Sequence, residues 1–512
     1  MQETKRNMRS KKTIYNLATN LILQLIMVAY GFIIPRIIIN KFGSDVNGLV
    51  VSITQFLAYI SLLESGFGPV VKSVLYRPIA ENNKEEILGI LKTSNTFFNR
   101  IAKIFIVYII FLSIIYPLFV SKTYGAFFTI SLIFIISIST FAEYYFGMTY
   151  RLFLQAKQKT YIISLIQIFT YIACIGLVFL LVIFGINIHL LKLVTGIVFV
   201  LRPVLQNIYV KKKYNINLDK ETKVVDIKQK WDGLAQHIAA VVNGNTATTV
   251  LTIFRTLGEV SIYSVYFLVV NGIKQIIQIF SNSVDAAFGD MIAKDEKENL
   301  NIKFSIYEVV YFMITTIAFT STLVLITPFI QVYTRGVYDE DYIRPLFGIL
   351  LVIGNYIWAL RLPYSTITLA AGHFKETRVG AWVETLLNII VSLLLVIRFG
   401  LEGVAVGTIV AMLVRTIEFV IHANKHILHR DVWHTTRKII LVMVQTMLII
   451  LLTRFLPYVN NSSFMKWIIN AIMVTVISIV VVVVTNLMFN KDELNGIKKI
   501  LNRVVKKRKR NK

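Results

Sequence analysis

Apolar residues run in blocks of about twenty along the whole chain, separated by short clusters of charge. A helix needs about that many apolar residues to cross the hydrocarbon core of a bilayer. Fourteen such spans are read, at 13–38, 46–71, 101–120, 125–147, 161–183, 187–209, 231–254, 260–283, 304–334, 343–371, 378–397, 402–421, 437–457 and 464–487. The pattern predicts an all-α polytopic membrane protein with about 14 transmembrane helices. One block is broken internally. Ser61–Leu75 reads SLLESGFGPVVKSVL, an acid and a Gly-Phe-Gly-Pro inside the second span. Irregular backbone at membrane depth is tolerated only against protein or water. The stretch is therefore expected to bend or loosen a helix that lines a cavity.

Composition agrees with this class. The 512 residues are 56% hydrophobic and 16% charged, with a mean hydropathy of +0.66; about 45–50% apolar is usual for a soluble domain. The single cysteine, Cys174, excludes a disulfide within the chain. The net charge of +26 would suggest nucleic acid in a soluble protein, but here it fits basic loops on one side of a membrane. With the N-terminus inside, 41 of the 54 Lys and Arg fall in inside segments or at their span ends, and 8 in outside loops. Arg36, Lys192, Lys274, Arg361 and Arg415 remain within spans. This bias predicts cytoplasmic N- and C-termini. The basic start MQETKRNMRSKK precedes an apolar stretch too long for a signal-peptide core, so it reads as a retained first helix.

The loops are short outside. Inside, 84–100 reads as an amphipathic helix on the membrane surface. The tail from 497 alternates apolar and basic residues, which suits either a topology anchor or attraction to anionic lipid heads.

The two halves repeat their punctuation. Gly43 and Gly258 stand 215 residues apart, as do Gly185 and Gly400, and Tyr150 and Tyr364 stand 214 apart. Two six-helix repeats with two further C-terminal helices follow. The expected divisions are a lobe at 1–210, a cytoplasmic linker at 211–230, a lobe at 231–430, two extra helices at 431–490 and a basic tail at 491–512. Even-numbered repeats are related by an axis along the membrane normal, an arrangement that binds substrate between halves near the midplane.

Charges inside spans are costly and default to functional candidates. Lys274 and Arg361 lie mid-span, too deep to reach a headgroup layer. Arg36 sits near the outer end of span one, where a cavity role and snorkelling to headgroups are both open. Arg415 has Glu418 three residues on, so an i,i+3 pair and a ligand role are both open. The acids Glu64, Asp285 and Glu384, with Glu143 and Glu308 nearer the cytoplasmic face, are coupling groups or partners of lobe-mate cations. Lys72 marks the inner boundary of span two, eight residues past Glu64. Gln236, His237, Asn243, Asn245 and Thr246 suit sugar hydroxyls or a helix seam equally. The histidines His422, His426, His429 and His434 read as a solvated loop rather than a metal site. GHFKET lacks the Gly-Lys-Ser/Thr end of a phosphate-binding loop, and no cofactor is read.

The sequence resembles the polysaccharide flippases of the multidrug/oligosaccharidyl-lipid/polysaccharide exporter (MOP) superfamily. Glu64, Gly66, Phe67, Gly68 and Lys72 fill that family's second-span pattern, with Glu and Lys in place of Asp and Arg. YRLFLQAKQKTYI (150–162), IYSVYFLVVNGIKQII (262–277) and LPYSTITLAAGHFKET (362–377) are similar to family segments in order and spacing. In span seven Ala247 stands where close relatives carry an acid, so no cation site is carried over there.

The resemblance implies a non-enzymatic flippase for undecaprenyl-diphosphate-linked oligosaccharide in a bacterial plasma membrane, serving capsule, O-antigen or exopolysaccharide assembly. Membrane lipids, and a glycan polymerase and glycosyltransferases of one pathway, would be its partners. On the residues, Arg36, Lys274, Arg361 and Arg415 are the candidates for diphosphate and sugar, and Glu64, Lys72 and Asp285 for coupling or gating. A multidrug antiporter of the same fold would favour deep acids and aromatics over deep cations. A glycan polymerase or ligase would need a sizeable outer loop, and the outer loops are short, RGVYDEDYIR (335–344) being the most highly charged.

Overall fold

A computed structural model of the chain describes residues 2–64, 66–120, 123–216, 218, 234–282, 284–456 and 463–498. Most of the expected linker and the basic tail from 499 onward lie outside the described residues. Every regular element among those described is helical. In order these are α1 (Gln2–Phe42), α2 (Ser44–Ala58), α3 (Phe67–Glu81), α4 (Lys84–Val120), α5 (Ala126–Ala142), α6 (Met148–Ala156), α7 (Thr160–Ile183) and α8 (Ile188–Tyr214). There follow α9 (Leu234–Phe254), α10 (Leu257–Asn282), α11 (Asp285–Ala293), α12 (Lys297–Tyr333), α13 (Pro345–Ala370), α14 (Arg378–His426), α15 (Trp433–Thr453) and α16 (Phe464–Phe489). Twelve described helices are long and apolar enough to cross a membrane. The all-α polytopic class is thus the observed one.

Two compact units divide the chain, Met1–Ser261 and Ile262–Lys512. In the first, Leu49, Ile53, Val71, Ile90, Phe98 and Phe105 are wholly buried in one apolar core. In the second, Phe304, Phe319, Tyr364 and Phe347 are wholly buried.

α14 contains two of the expected spans. Gly400 has φ 55° and ψ −126°, outside the helical region. A Cβ at such a φ would be strained, so glycine suits the turn. The close approaches of Leu395 to Gly403, of Ser392 to Gly407 and of Gly380 to Glu418 run in opposite directions away from Gly400. The arms 378–399 and 401–426 therefore lie antiparallel, as the spans at 378–397 and 402–421 require. α9 corresponds to span seven but is not among the twelve apolar helices; its amides, histidine and threonines lower its hydropathy.

Two local expectations change. The surface helix at 84–100 is instead the start of α4, which runs unbroken to Val120. Ile90, Leu91 and Phe98 are wholly buried, so this segment packs into the unit's core rather than lying on a membrane. The second span ends at Leu63, not at 71. A short 3-10 turn, Tyr59–Leu63, tightens the end of α2, and Gly66 takes φ 79° before α3 restarts at Phe67. Pro69 then falls in the first turn of α3, where no N–H is needed. The eight residues from Glu64 to Lys72 span this break, so theirs is not a helical spacing.

Candidate functional site

In the second unit the hairpin of α14 brings together four charges that lie far apart in sequence. Glu384 on the first arm accepts from Arg361 Nη1 of α13 at 3.0 Å and lies 3.4 Å from Arg415 Nε of the second arm. Arg415 Nη1 also reaches Glu418 Oε2 at 2.5 Å and donates to the Thr377 carbonyl at 2.9 Å. The Arg415 side chain is 1% exposed and its guanidinium lies 4.2 Å from the Phe419 ring centroid. Gly380 makes the arrangement possible. A Cβ there would sit 1.6 Å from Glu418 Oε2, so only a glycine leaves room for that carboxylate.

Lys274 of α10 belongs to the same electrostatic neighbourhood, within Coulombic range of Arg361 and Glu384. Its ammonium faces rings, 4.3 Å from the Trp358 centroid and 5.8 Å from that of Phe267. Cation–π contact offsets part of the cost of burying such a charge but does not neutralise it. Among the described residues it makes no ion pair with a carboxylate. Three cations thus share two carboxylates, and Arg361 Nε is a buried donor without a hydrogen-bond partner among the described residues.

The first unit holds a cavity of about 320 Å³ lined by Glu64, Glu143, Tyr144, Arg151 and Arg202 among others. A π-helical turn, Glu143–Gly147, joins α5 to α6. Such single-turn π segments recur at functional sites. Here it sets the Glu143 carboxylate 3.0 Å from Arg151 Nη1. His237 of α9 bonds the Ser61 carbonyl at 3.0 Å, tying α9 to the turn before Glu64. Arg202, near the inner end of the span at 187–209, donates to Thr170 Oγ1 at 2.7 Å and lies near 4 Å from the Phe199 and Tyr171 ring centroids. Nothing in its spacing marked it, because it stands within two turns of the span end.

The remaining candidates stand apart. Arg36 is half-buried on α1, one residue after Pro35, and Lys72 is half-buried on α3. Asp285 is exposed in the first turn of α11. The polar face of span seven forms a helix seam: Thr249 bonds Tyr59 Oη at 2.9 Å and Thr252 bonds Ser52 at 2.7 Å. Asn245 and Thr246 donate to carbonyls of their own helix. His422 and His426 are not in a loop but on the last turns of α14, and His373 bonds His422 at 2.9 Å. No group of metal-ligating residues forms among the described residues.

A second buried cluster forms around Glu308, which the sequence offered as a coupling group or a partner of cations without showing which ones. Glu308 of α12 is wholly buried and accepts from Arg430 at 2.8 Å, from Lys438 at 2.7 Å and from the Tyr364 hydroxyl. Lys438 also lies 3.3 Å from Glu493, to which Ser305 donates at 3.0 Å. Burial alone would push the Glu493 carboxyl up, but Lys438 and Ser305 hold it below the ordinary carboxylate value. By position Arg430 and Lys438 stand beside or just inside the start of the span at 437–457, where a cation reads as a topology signal.

The fold is similar to those of solved membrane transporters. A solved structure of the lipid II flippase MurJ in an inward closed conformation superposes with a TM-score of 0.66, covering 94% of this chain and 100% of that one at 16% identity. A mutant of the Vibrio cholerae MATE transporter VcmN gives 0.54 over 83% of this chain and 99% of that one, at 14% identity. An inward-facing multidrug resistance MATE family transporter of the MOP superfamily gives 0.53 over 83% and 98%, also at 14% identity. At these identities the likeness establishes the fold. No protein-family model and no curated protein matches the chain.

Proposed function

We propose that this protein is a flippase that moves an undecaprenyl-diphosphate-linked oligosaccharide repeat unit across a bacterial plasma membrane for cell-surface polysaccharide synthesis, by alternating access of a cationic cavity. The observation that carries the reading is the cluster of Lys274, Arg361 and Arg415, three cations set against Glu384 and Glu418 within apolar helices. Surplus positive charge at that depth is costly and calls for an anionic occupant. A diphosphate supplies one, since Arg binds phosphate oxygens bidentately and Lys acts as a point charge. Arg36 in the first unit is a further candidate for diphosphate or sugar, while Glu64, Lys72 and Asp285 act in coupling or gating. Both termini are cytoplasmic, and a glycan polymerase and glycosyltransferases of the same pathway are the expected partners. The longer structural alignment is with a lipid II flippase, which supports a lipid-linked substrate over a multidrug cation.

The reading is tested in liposomes containing the purified chain and a lipid-linked oligosaccharide bearing a dithionite-quenchable fluorophore. The protein is expected to make the inner-leaflet pool accessible within minutes and to leave ethidium transport at the empty-liposome rate. Ethidium efflux without flipping would sink the proposal in favour of the antiporter. In the same assay Glu64→Gln is expected to reduce the rate under an imposed ion gradient to the rate without one. A gradient response equal to wild type would leave Glu64 with a structural role at the α2–α3 break.

A further inference from the structure

A cavity of about 690 Å³ opens at one end of the α15–α16 pair, bordering the Glu308 cluster through Ser305, Lys438 and Glu493. The two helices are antiparallel there: Lys438 lies against Glu493, and one level deeper Gln445 donates to Thr485 at 2.7 Å. The rim carries Trp433 and Phe489, 56% and 69% exposed. The wall continues down α15 through Ile440 and Val444, one turn apart and also exposed. The cavity is thus polar at its mouth and apolar along the helix, the profile of an amphiphile standing in a leaflet.

The charges at its mouth fall into two groups. Lys438 and Glu493 are committed to each other, to Glu308 and to Ser305. Arg437 and Asp492 are not. Arg437 contacts His434 Nδ1 at 2.9 Å and meets no carboxylate among the described residues, and Asp492 meets no cation there. Both side chains are exposed, both line the cavity, and they do not pair with each other. Opposite charges that face one cavity without closing on each other complement a ligand carrying the reverse pair.

We propose that this cavity holds a bilayer aminophospholipid. Arg437 donates to its phosphodiester, its primary ammonium donates to Asp492, and an acyl chain lies along Ile440 and Val444. Charge and hydrogen bonding select the headgroup. A glycerol headgroup offers Asp492 hydroxyls but no cation, and a choline headgroup has a cation but no N–H to donate. The site stands independently of the transported substrate, since it rests on the two helices that follow the hairpin of α14.

Native mass spectrometry of the full chain, titrated with dioleoyl phosphatidylethanolamine, phosphatidylcholine and phosphatidylglycerol, tests the proposal. Wild type is expected to hold the ethanolamine lipid about fivefold more tightly than either of the others, the scale of one exposed ion pair. Asp492→Asn is expected to erase that preference, Asp492→Glu to keep it, and Arg437→Gln to weaken all three lipids. Equal retention of the three headgroups by wild type overturns the proposal. So does a preference that survives Asp492→Asn.

Discussion

Glu308→Gln is expected to lower the apparent melting temperature of the purified protein by roughly 5–15 °C, the largest stability effect of any single charge change in the chain. Glu308 is wholly buried and is the common acceptor of Arg430, Lys438 and Tyr364. Bringing these charges out of water costs more than their attraction returns unless the geometry is nearly ideal. Removing the carboxylate alone leaves two cations facing each other, 12% and 10% exposed, with only Glu493 to offset one of them. Breaking a buried pair in this way costs about 3–5 kcal/mol. A second change separates charge from packing. Lys438→Met added to Glu308→Gln removes the stranded ammonium and is expected to recover part of the loss. Thermal unfolding followed by size-exclusion chromatography in detergent checks both variants. A single variant that melts within two degrees of wild type would show that the cluster is solvated rather than buried.

The element plan was largely legible, because a bilayer forces one rule on every span: about twenty apolar residues with all backbone groups bonded within the helix. The α14 hairpin was legible as two spans with a glycine between them. What failed was local. At 84–100 the helical period was read correctly, but its apolar face was assigned to lipid when it belongs to the core around Phe98; periodicity gives a face, not what covers it. At Glu64 the glycines announced irregularity without saying where the helix would stop. The site was half legible. Arg361, Glu384 and Arg415 stood out as deep charges, and the i,i+3 pair of Arg415 with Glu418 follows from helical geometry. Their convergence did not, since Arg361 and Glu384 meet only through packing of α13 on α14. Arg202, Arg430 and Lys438 were hidden by position. A cation near a span end looks like a topology signal whether it faces water or a buried carboxylate.

Lys274→Met is expected to cut flipping of the lipid-linked oligosaccharide about 10–100-fold, the scale of one charge-assisted contact to phosphate, while leaving the protein as stable as wild type or more so. The combination follows from its environment. Lys274 is held near Trp358 and Phe267 and is paired with no described carboxylate, so its charge costs folding energy that the rings return only in part. An apolar side chain of similar length removes that cost. A residue kept for packing would behave the other way, losing stability first and transport only in consequence. Arg361→Met provides the contrast. It is also expected to impair flipping, but it withdraws one of the two cations that neutralise Glu384, leaving Arg415 at 3.4 Å, so its melting temperature should fall. Reconstituted flipping rates and melting temperatures measured on the same preparations read both quantities at once. Wild-type flipping in both variants would remove the cationic cluster from the substrate path. A destabilised Lys274→Met protein would mean that the ammonium is a structural element of the second unit, and the surplus positive charge would then need an account other than an anionic occupant.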